Sequence, residues 1–278
     1  MRKLLPIITV ILVWSSAYPL IKIALDYVSP IVLAVIRLVT GGIILTVYGR
    51  GLSYGKKEMI GGLINVALFM LFLNFGVMLS VNPALSATLI YTQPIFLVIL
   101  SAIFLSKKPS VLQLLGVIIA ISGAIYSAGI TGFNLGSIIS LIGGLMWAIG
   151  TLYYQVFLIE KDVIKLNSFM ALFSALFLLP FTPINFYFKF TISGILVAVI
   201  IGITAQAIGF IAWFNSIKQL GSFLSSSLSL LVPAMSYLFS FIMLDEVPTF
   251  QQLLGSAIVL LGVFLTIISQ KISRALPR

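Results

Sequence analysis

The side chains able to make specific polar or aromatic contacts are few, and they stand inside apolar stretches of the chain. Amides, hydroxyls and aromatic rings bind neutral or zwitterionic solutes by hydrogen bonding and stacking, but they are poor general acids and bases. We therefore predict that such residues line a binding site for a small solute. The candidates are Trp14, Ser15, Tyr18, Asn74, Tyr91, Gln93, Trp147, Thr151, Gln206 and Ser229.

Each of these residues also has a purely structural explanation. An Asn or Gln in an apolar segment can instead hydrogen bond to a neighbouring helix, because an unpaired amide is costly there. Tyr91 and Gln93 are two positions apart and project to nearly opposite helix faces, so at most one of them lines a shared path. Ser229 belongs to a row of small residues at helical spacing that favours close helix packing. The row contains Ser222, Ser225, Ser226, Ser229, Ser236 and Ser240.

Residues for common enzyme chemistry are missing. The chain has no histidine and no cysteine, which removes imidazole proton relays, thiol nucleophiles, disulfide bonds and the usual ligands of zinc. None of the six acidic residues lies in the interior of an apolar stretch, so no carboxylate relay or sodium cage is available there. We predict that the protein is not an enzyme and has no metal site and no cofactor.

Two basic residues, Lys22 and Arg37, fall within apolar stretches, where a central charge costs ~2.5–3.5 kcal/mol. Both are expected near the outer surface rather than at the centre. One interpretation is that they contact an anion or carboxylate in an outer vestibule. The other is that they pair with Asp245, Glu246 or Asp26. Because Asp26 follows Lys22 by four residues, those two can pair on one helix face.

The elements that must position these residues follow from composition. Hydrophobic residues make up 61% of the 278 positions and charged residues only 8%, against roughly 25% charged in a soluble domain. Apolar stretches of about 20 residues, long enough to cross a bilayer, recur along the chain. We predict an all-α polytopic membrane protein with ten transmembrane helices, of which the seventh is short and the eighth long. The predicted spans are 4–25, 30–48, 58–80, 83–105, 110–128, 134–157, 166–181, 191–217, 222–244 and 249–269.

The distribution of positive charge sets the orientation of these helices. With the N-terminus inside, thirteen of the sixteen Lys and Arg residues fall on the cytoplasmic side, as membrane topology requires. We therefore predict a multi-pass protein of the plasma membrane with both termini in the cytoplasm. The net charge of +10 is explained by topology, so no nucleic-acid partner is expected. The lipid bilayer is the expected partner, with a homodimer as one possible assembly.

An internal repeat relates the two halves of the chain. Shifting the sequence by 139 positions aligns Pro94 with Pro233 without a gap, together with matching Leu, Ser, Gln and Gly residues on either side. Trp14 meets Trp147 at an offset of 133. We predict two five-helix repeats, residues 1–129 and 130–278. Because five is odd, the second copy crosses the membrane in the opposite sense. Two inverted copies can enclose a cavity and open it to either side, and Pro94 and Pro233 are the predicted hinges.

Three motifs carry a family resemblance. The first helix reads Trp14-Ser15-Ser16-Ala17-Tyr18-Pro19-Leu20-Ile21-Lys22. Arg37 stands seven residues after Pro30, and Leu244-Asp245-Glu246-Val247-Pro248-Thr249 precedes Gln252 and the Gly255 to Gly262 spacing. In these motifs the chain resembles the drug/metabolite transporter superfamily, specifically its EamA-type members of ten helices. It departs from that pattern at Lys107, where the first repeat ending usually carries Glu.

The resemblance implies efflux or exchange of small metabolites, amino acids or related compounds by alternating access, without ATP hydrolysis. Since no buried acid is available, we expect a facilitator or exchanger driven by the gradient of its small-molecule substrate. Two other classes stay open. One is an intramembrane lipid-modifying enzyme, which needs a base, nucleophile or metal ligands at one depth. The other is a passive channel or the subunit of a larger complex.

Overall fold

The computed structural model of the chain describes residues 2–106, 110–132, 134–184 and 186–275. In these ranges the structure is helical throughout, and the β-structure is one isolated bridge between Val28 and Phe188. Ten long helices follow one another along the chain, joined by short connections. They are α1 Leu5–Ala24, α2 Pro30–Gly49, α3 Lys56–Leu79, α4 Pro83–Leu105, α5 Val111–Gly132, α6 Leu135–Leu158, α7 Val163–Phe181, α8 Ile192–Leu220, α9 Ser222–Leu244 and α10 Phe250–Ala275.

The ten helices correspond one to one with the predicted spans. α7 begins at Val163, three residues before its predicted start, because the side chain of Asp162 caps its first turn by accepting hydrogen bonds from the backbone of Ile164 and Lys165. α8 is the longest of the eight helices that are apolar and long enough to cross a membrane, as its predicted length indicates. Lys107 lies outside the described residues.

The surface of the bundle is apolar along its length. Large side chains such as Ile8, Leu12, Ile103, Phe104 and Ile118 are exposed, and about half of each long span is buried against other helices. An apolar exterior of this extent matches hydrocarbon and is unsuited to water. The predicted fold class, an all-α polytopic membrane protein, is confirmed.

Helices α5 and α10 are equivalent under the repeat and cross each other through glycines. A Cβ atom at Gly123 would lie 2.6 Å from the backbone nitrogen of Val259, and one at Gly262 would overlap the backbone oxygen of Gly116. As residue numbers rise along α5, their partners in α10 therefore fall, so the two helices are antiparallel. Equivalent helices that run in opposite directions are the geometry of an inverted repeat.

Helices α4 and α9 are both interrupted, at equivalent positions. The interruption in α4 is at Tyr91 and Thr92, and that in α9 is at Leu230, which is Tyr91 shifted by 139. Each break lies just before the matching proline, Pro94 or Pro233, whose ring nitrogen cannot donate the next helical hydrogen bond. The segments are Pro83–Ile90 and Gln93–Leu105 in α4, and Ser222–Ser229 and Leu231–Leu244 in α9.

The repeat extends to finer backbone detail. α3 contains a π-helical segment at Leu63–Leu68 and α8 one at Gly202–Ile208, and these begin 139 residues apart. The C-caps of α4 and α9, Ser106 and Asp245, are left-handed, with φ of 52° and 54°. The predicted boundary after residue 129 falls in the last turn of α5 and stays a prediction.

Candidate functional site

Three tryptophans meet at the centre of the bundle, and they are all the tryptophans in the chain. The ring centroids of Trp14 on α1 and Trp147 on α6 are 5.5 Å apart in an edge-to-face contact. Trp213 on α8 lies 5.6 Å from Trp14 and 5.0 Å from Trp147. Aromatic rings at these separations attract one another through edge and face. The cluster therefore joins helices from both halves of the chain.

Further rings extend this cluster toward α3 and α4. Tyr91, at the break in α4, packs edge-on against Trp147 at 4.9 Å and lies 6.4 Å from Tyr18. Phe69 approaches Trp147 at 5.6 Å, and Phe210 approaches Trp14 at 5.5 Å. Trp14 also donates a hydrogen bond from Nε1 to the carbonyl of Ala205, 3.1 Å away. The indole is thereby fixed against α8.

A narrow cavity lies beside the aromatic cluster, between α1, α2, α3, α4 and α8. It has room for about one water molecule, so a metabolite can enter only when the surrounding helices separate. Its wall is apolar except for the phenols of Tyr18 and Tyr91, the indole nitrogen of Trp14 and the guanidinium of Arg37. The lining residues are Trp14, Ala17, Tyr18, Ile21, Arg37, Phe69, Met70, Leu73, Tyr91, Ala205 and Phe210.

Arg37 is the charged side chain in this wall and is 2% exposed. Its guanidinium donates a hydrogen bond to Oδ1 of Asn74 at 3.2 Å, while the Asn74 amide donates to the carbonyl of Pro30 at 2.9 Å. The predicted pairing of Arg37 with Asp245, Glu246 or Asp26 is therefore wrong. Those acids lie in loops at the ends of helices, whereas Arg37 faces α3 inside the bundle.

The acid near Lys22 is Glu246 and not Asp26, which follows Lys22 by four residues. Lys22 forms no ion pair with Asp26 in the described part of the chain, and it lies close enough to Glu246 to lower the pKa of that carboxyl. Glu246 accepts a hydrogen bond from Nδ2 of Asn82 at 2.8 Å. Partial burial raises the pKa of Glu246, and the nearby Lys22 opposes that shift. We call Asn82 and Glu246 the outer contact, because the charge distribution predicts that this end is outside.

A second contact joins the halves at the opposite end of the bundle. Nζ of Lys161, in the α6–α7 connection, lies 2.6 Å from Oε1 of Glu58 in the first turn of α3. Lys218, near the end of α8, donates to the carbonyl of Lys161 at 2.6 Å. We call Glu58 and Lys161 the inner contact. Because Glu58 lies in the first turn of the 24-residue helix α3 and Asn82 follows its end, the two contacts are about 36 Å apart.

Several predicted site residues form hydrogen bonds within the protein and do not line the cavity. Gln93 donates to Thr151 on α6 at 3.3 Å, and Ser15 donates to the carbonyl of Val232 on α9 at 3.2 Å. Ser229 donates to the carbonyl of Ser226 within its own helix. Of the pair Tyr91 and Gln93, the structure therefore places only Tyr91 against the cavity.

Gln206 is fully buried but differs from these residues. Neither its amide nitrogen nor its amide oxygen has a partner among the described residues. Its side chain packs where a Cβ atom of Gly41 would stand, on the face of α2 one turn from Arg37. It lies next to Ala205 of the cavity wall and is not itself part of that wall.

One of the two predicted hinges, Pro94, lines a second narrow void. Tyr91, Pro94 and Leu230 line it together with residues of α5 and α10. Tyr91 faces both this void and the cavity beside the tryptophans. Bending at the two breaks would therefore move a cavity wall residue directly.

Three aromatic residues of the site were not predicted from the sequence, namely Phe69, Phe210 and Trp213. Trp213 is buried and touches both predicted tryptophans. The sequence feature that could have identified Trp213 is its position within the eighth predicted span. The π-helical segment Gly202–Ile208 precedes it, and the extra residue in that turn changes which face of α8 follows.

Comparisons with known proteins agree with this geometry. The EamA-like transporter family matches residues 1–128 and again residues 134–268. The uncharacterized transporter YoaV of Bacillus subtilis (strain 168) is 24% identical over 284 residues, covering 95% of this chain and 96% of that protein. An uncharacterized transporter of Acidianus ambivalens, named for the sor 3' region, is 30% identical over 204 residues, covering 72% and 79%.

Two further comparisons concern function and fold. A probable terminal-alkyne amino-acid exporter of Streptantibioticus cattleyicolor is 25% identical over 271 residues, covering 93% of this chain and 91% of its own. A protein of known crystal structure superposes with a TM-score of 0.75 at 19% identity over 98% of each chain, which supports the fold alone. The resemblance read from the sequence motifs is thus confirmed, and the chain belongs to the EamA-like transporter family.

Proposed function

We propose that this protein is a secondary transporter that carries small metabolites, such as amino acids or related solutes, across the plasma membrane by alternating access. One observation carries the proposal: the aromatic cavity lies between two halves whose equivalent helices run antiparallel. A site at the interface of inverted repeats can be exposed to either side by rocking one half against the other. Both termini are proposed to lie in the cytoplasm.

The contacts at the two ends support this mechanism. Asn82 and Glu246 join the halves at one end, and Glu58 and Lys161 join them at the other. Both contacts are formed, and the cavity between them has room for about one water, so the conformation is occluded. Each half-cycle would break one contact while the other excludes water. The breaks in α4 and α9 supply the bending that this requires.

The nature of the cavity wall supports a small organic solute as cargo. Indole and phenol rings pack against apolar groups and hydrogen bond at their edges. One relative is named as an amino-acid exporter, and we extend that class of substrate to this chain as a proposal. A multivalent cation would find no carboxylate in the described cavity wall.

Transport is proposed to run on the gradient of the cargo itself. In the described spans the one carboxylate is that of Glu58, at the start of α3, and it is paired with Lys161. Proton and sodium relays commonly use a carboxylate that alternates between free and bound states. The protein would then act as a facilitator or exchanger, with export as the direction suggested by its relative's name.

Counterflow in proteoliposomes tests the proposal. Vesicles containing the purified protein are loaded with an unlabelled amino-acid mixture and diluted into labelled amino acids. A carrier accumulates label transiently and saturably. We expect Trp14→Ala to abolish this signal, and Phe104→Ala, which alters an exposed aromatic side chain on α4, to preserve it. Linear flux without counterflow would favour a channel, and lipid modification without flux would favour an enzyme.

The same vesicles test the absence of coupling. A proton gradient is imposed while the membrane potential is clamped with potassium and valinomycin. We expect the initial rate to change by less than about twofold. An acceleration of tenfold or more would contradict uncoupled transport and would leave the carrier function intact.

A further inference from the structure

The cavity contains a buried cation without a counter-charge. Arg37 lines the wall and is 2% exposed. In the described chain its hydrogen bond goes to the neutral amide of Asn74, and its Nε atom has no partner. An arginine side chain stays protonated in proteins, so the guanidinium carries a full positive charge into the bundle.

No acid of the described chain neutralises this charge. The one ion pair among the described residues is Lys161 with Glu58, which joins the halves at the inner contact. Buried charges in proteins are normally paired, because burial removes the water that would solvate them. A guanidinium that lines a cavity and lacks an anion is therefore suited to receive one from a molecule that enters.

We propose that Arg37 binds a carboxylate of the cargo, and that the substrate class is small organic acids, including α-amino acids, with an apolar body. This inference rests on the proposed transport function, because it assumes that cargo enters this cavity. The planar guanidinium can bind both oxygens of a carboxylate. Trp14, Phe69 and Phe210 surround the adjoining space and would pack against the apolar body.

Two kinds of carboxylate solute share this recognition. An α-amino acid also carries an ammonium group, which could lie over the face of an aromatic ring such as Tyr91. A simple monocarboxylate lacks that group and would depend on Arg37 and the apolar wall alone. Both lose the proposed contact when the carboxylate becomes an amide.

Tryptophan fluorescence measures binding directly at this site, because all three tryptophans of the chain belong to the cluster. The full-length protein in lipid nanodiscs is titrated with leucine, leucinamide, 4-methylpentanoate and 4-methylpentanamide. We expect one or both acids to bind at least about tenfold more tightly than the matching amide. Leucine alone responding identifies amino acids as the class, and both acids responding identifies organic acids in general.

Two substitutions test whether Arg37 causes the preference for an acid over the matching amide. Arg37→Gln removes the charge, and we expect acid and amide to bind equally weakly. Arg37→Lys keeps the charge without the planar fork, and we expect it to retain a reduced preference for the acid. Thermal unfolding of both variants confirms that they are folded. Equal binding of acid and amide by the unmodified protein, or an undiminished preference in folded Arg37→Gln, overturns the inference.

Failure of the inference can be told apart from failure of the transport proposal. Saturable counterflow of a neutral solute, with no response to either acid, would leave a transporter whose substrate class is different. Acid binding that depends on Arg37, with no counterflow of any solute, would leave the anion site in place and remove the transport function.

Discussion

The two halves of the chain share a backbone but differ where they meet the cavity. α2 and α7 begin 133 residues apart, at Pro30 and Val163, so Met170 stands where the first half has Arg37. The π-helical segments of α3 and α8 begin 139 residues apart, so Trp213 stands where the first half has Asn74. A polar hydrogen-bonded pair in one half corresponds to two buried apolar residues in the other.

This difference distinguishes the features that both halves need for packing from those that one half uses to recognise the substrate. The crossing glycines, the helix breaks and the left-handed caps occur once in each half, because both halves must pack and bend alike. The charge occurs once. A binding site on the axis between two copies needs only one cationic group, and a second would repel the first. We infer that the repeated features serve movement and the unrepeated ones serve binding.

The largest losses of stability are expected at the glycines where α5 and α10 cross. Gly123→Val and Gly262→Val each place side-chain atoms against the backbone of the opposite helix. Because those atoms cannot move aside without separating α5 from α10, we expect each variant to lose about 3 kcal/mol or more of stability, to a similar extent. Unfolding monitored in detergent measures this. The controls are Ile118→Val and Leu261→Val, at exposed positions on the same helices. A large difference between the two glycine variants would contradict the symmetry of the framework.

Equivalent residues at the site should behave unequally. Asn74→Ala removes the acceptor for Arg37 and the hydrogen bond to Pro30, which should cost about 2–3 kcal/mol of stability. Its counterpart Trp213→Phe leaves no polar atom newly unpaired, because the indole nitrogen has no partner in the described structure, and its loss should come only from the packing of one buried ring. Thermal or denaturant unfolding of both variants compares them. An Asn74→Ala variant as stable as the unmodified protein would indicate that Arg37 does not depend on Asn74.

The smallest effect concerns the outer contact. Burial raises the pKa of Glu246 in the closed conformation, so protonation favours closure over an open state in which the carboxyl is hydrated. This stabilisation is fully present below the usual pKa of glutamate and is lost as pH rises through the raised value. We expect a single cysteine at Ser80, which is buried beside the outer contact, to be labelled faster as pH increases through that window, after correction for thiol ionisation. The change should be small, because Glu246 is only partly buried and the nearby Lys22 opposes the shift in its pKa.

Glu246→Gln provides the control for that measurement, since it keeps the size of the side chain and removes the titration. The pH dependence of labelling should disappear in this variant. A dependence that persists in Glu246→Gln must come from another group and would exclude Glu246 as its cause.

The helices and their repeat were predictable because both depend on local composition. Apolar runs fix where α2, α4 and α9 lie to within a few residues, and the matched prolines predicted the two breaks. The depth of a residue along its helix was predictable as well. Trp14 and Trp147, which are predicted to lie at the same depth, are in contact.

Rotation of a helix about its axis was the part that the sequence did not specify. Which neighbour a buried side chain faces depends on that rotation, and a π-helical segment alters it without a clear sequence signal. Trp213 was missed for this reason. Of the two interpretations of Arg37, pairing with an acid is wrong, because the amide of Asn74 lies on the facing helix and accepts its hydrogen bond. Ser15 and Gln93 stood at suitable depths but face neighbouring helices.

Cross-linking at the two ends tests alternating access most directly. The chain has no native cysteine, so the pairs Asn82→Cys with Glu246→Cys and Glu58→Cys with Lys161→Cys can be built without background. Each pair is closed with a short thiol-cleavable reagent in proteoliposomes, and counterflow is measured before and after reduction. We expect closure of either pair alone to stop counterflow and reduction to restore it, while the reagent leaves the counterflow of each single-cysteine variant at its starting rate. Full counterflow with either pair quantitatively cross-linked would contradict a cavity that opens alternately between two rocking halves.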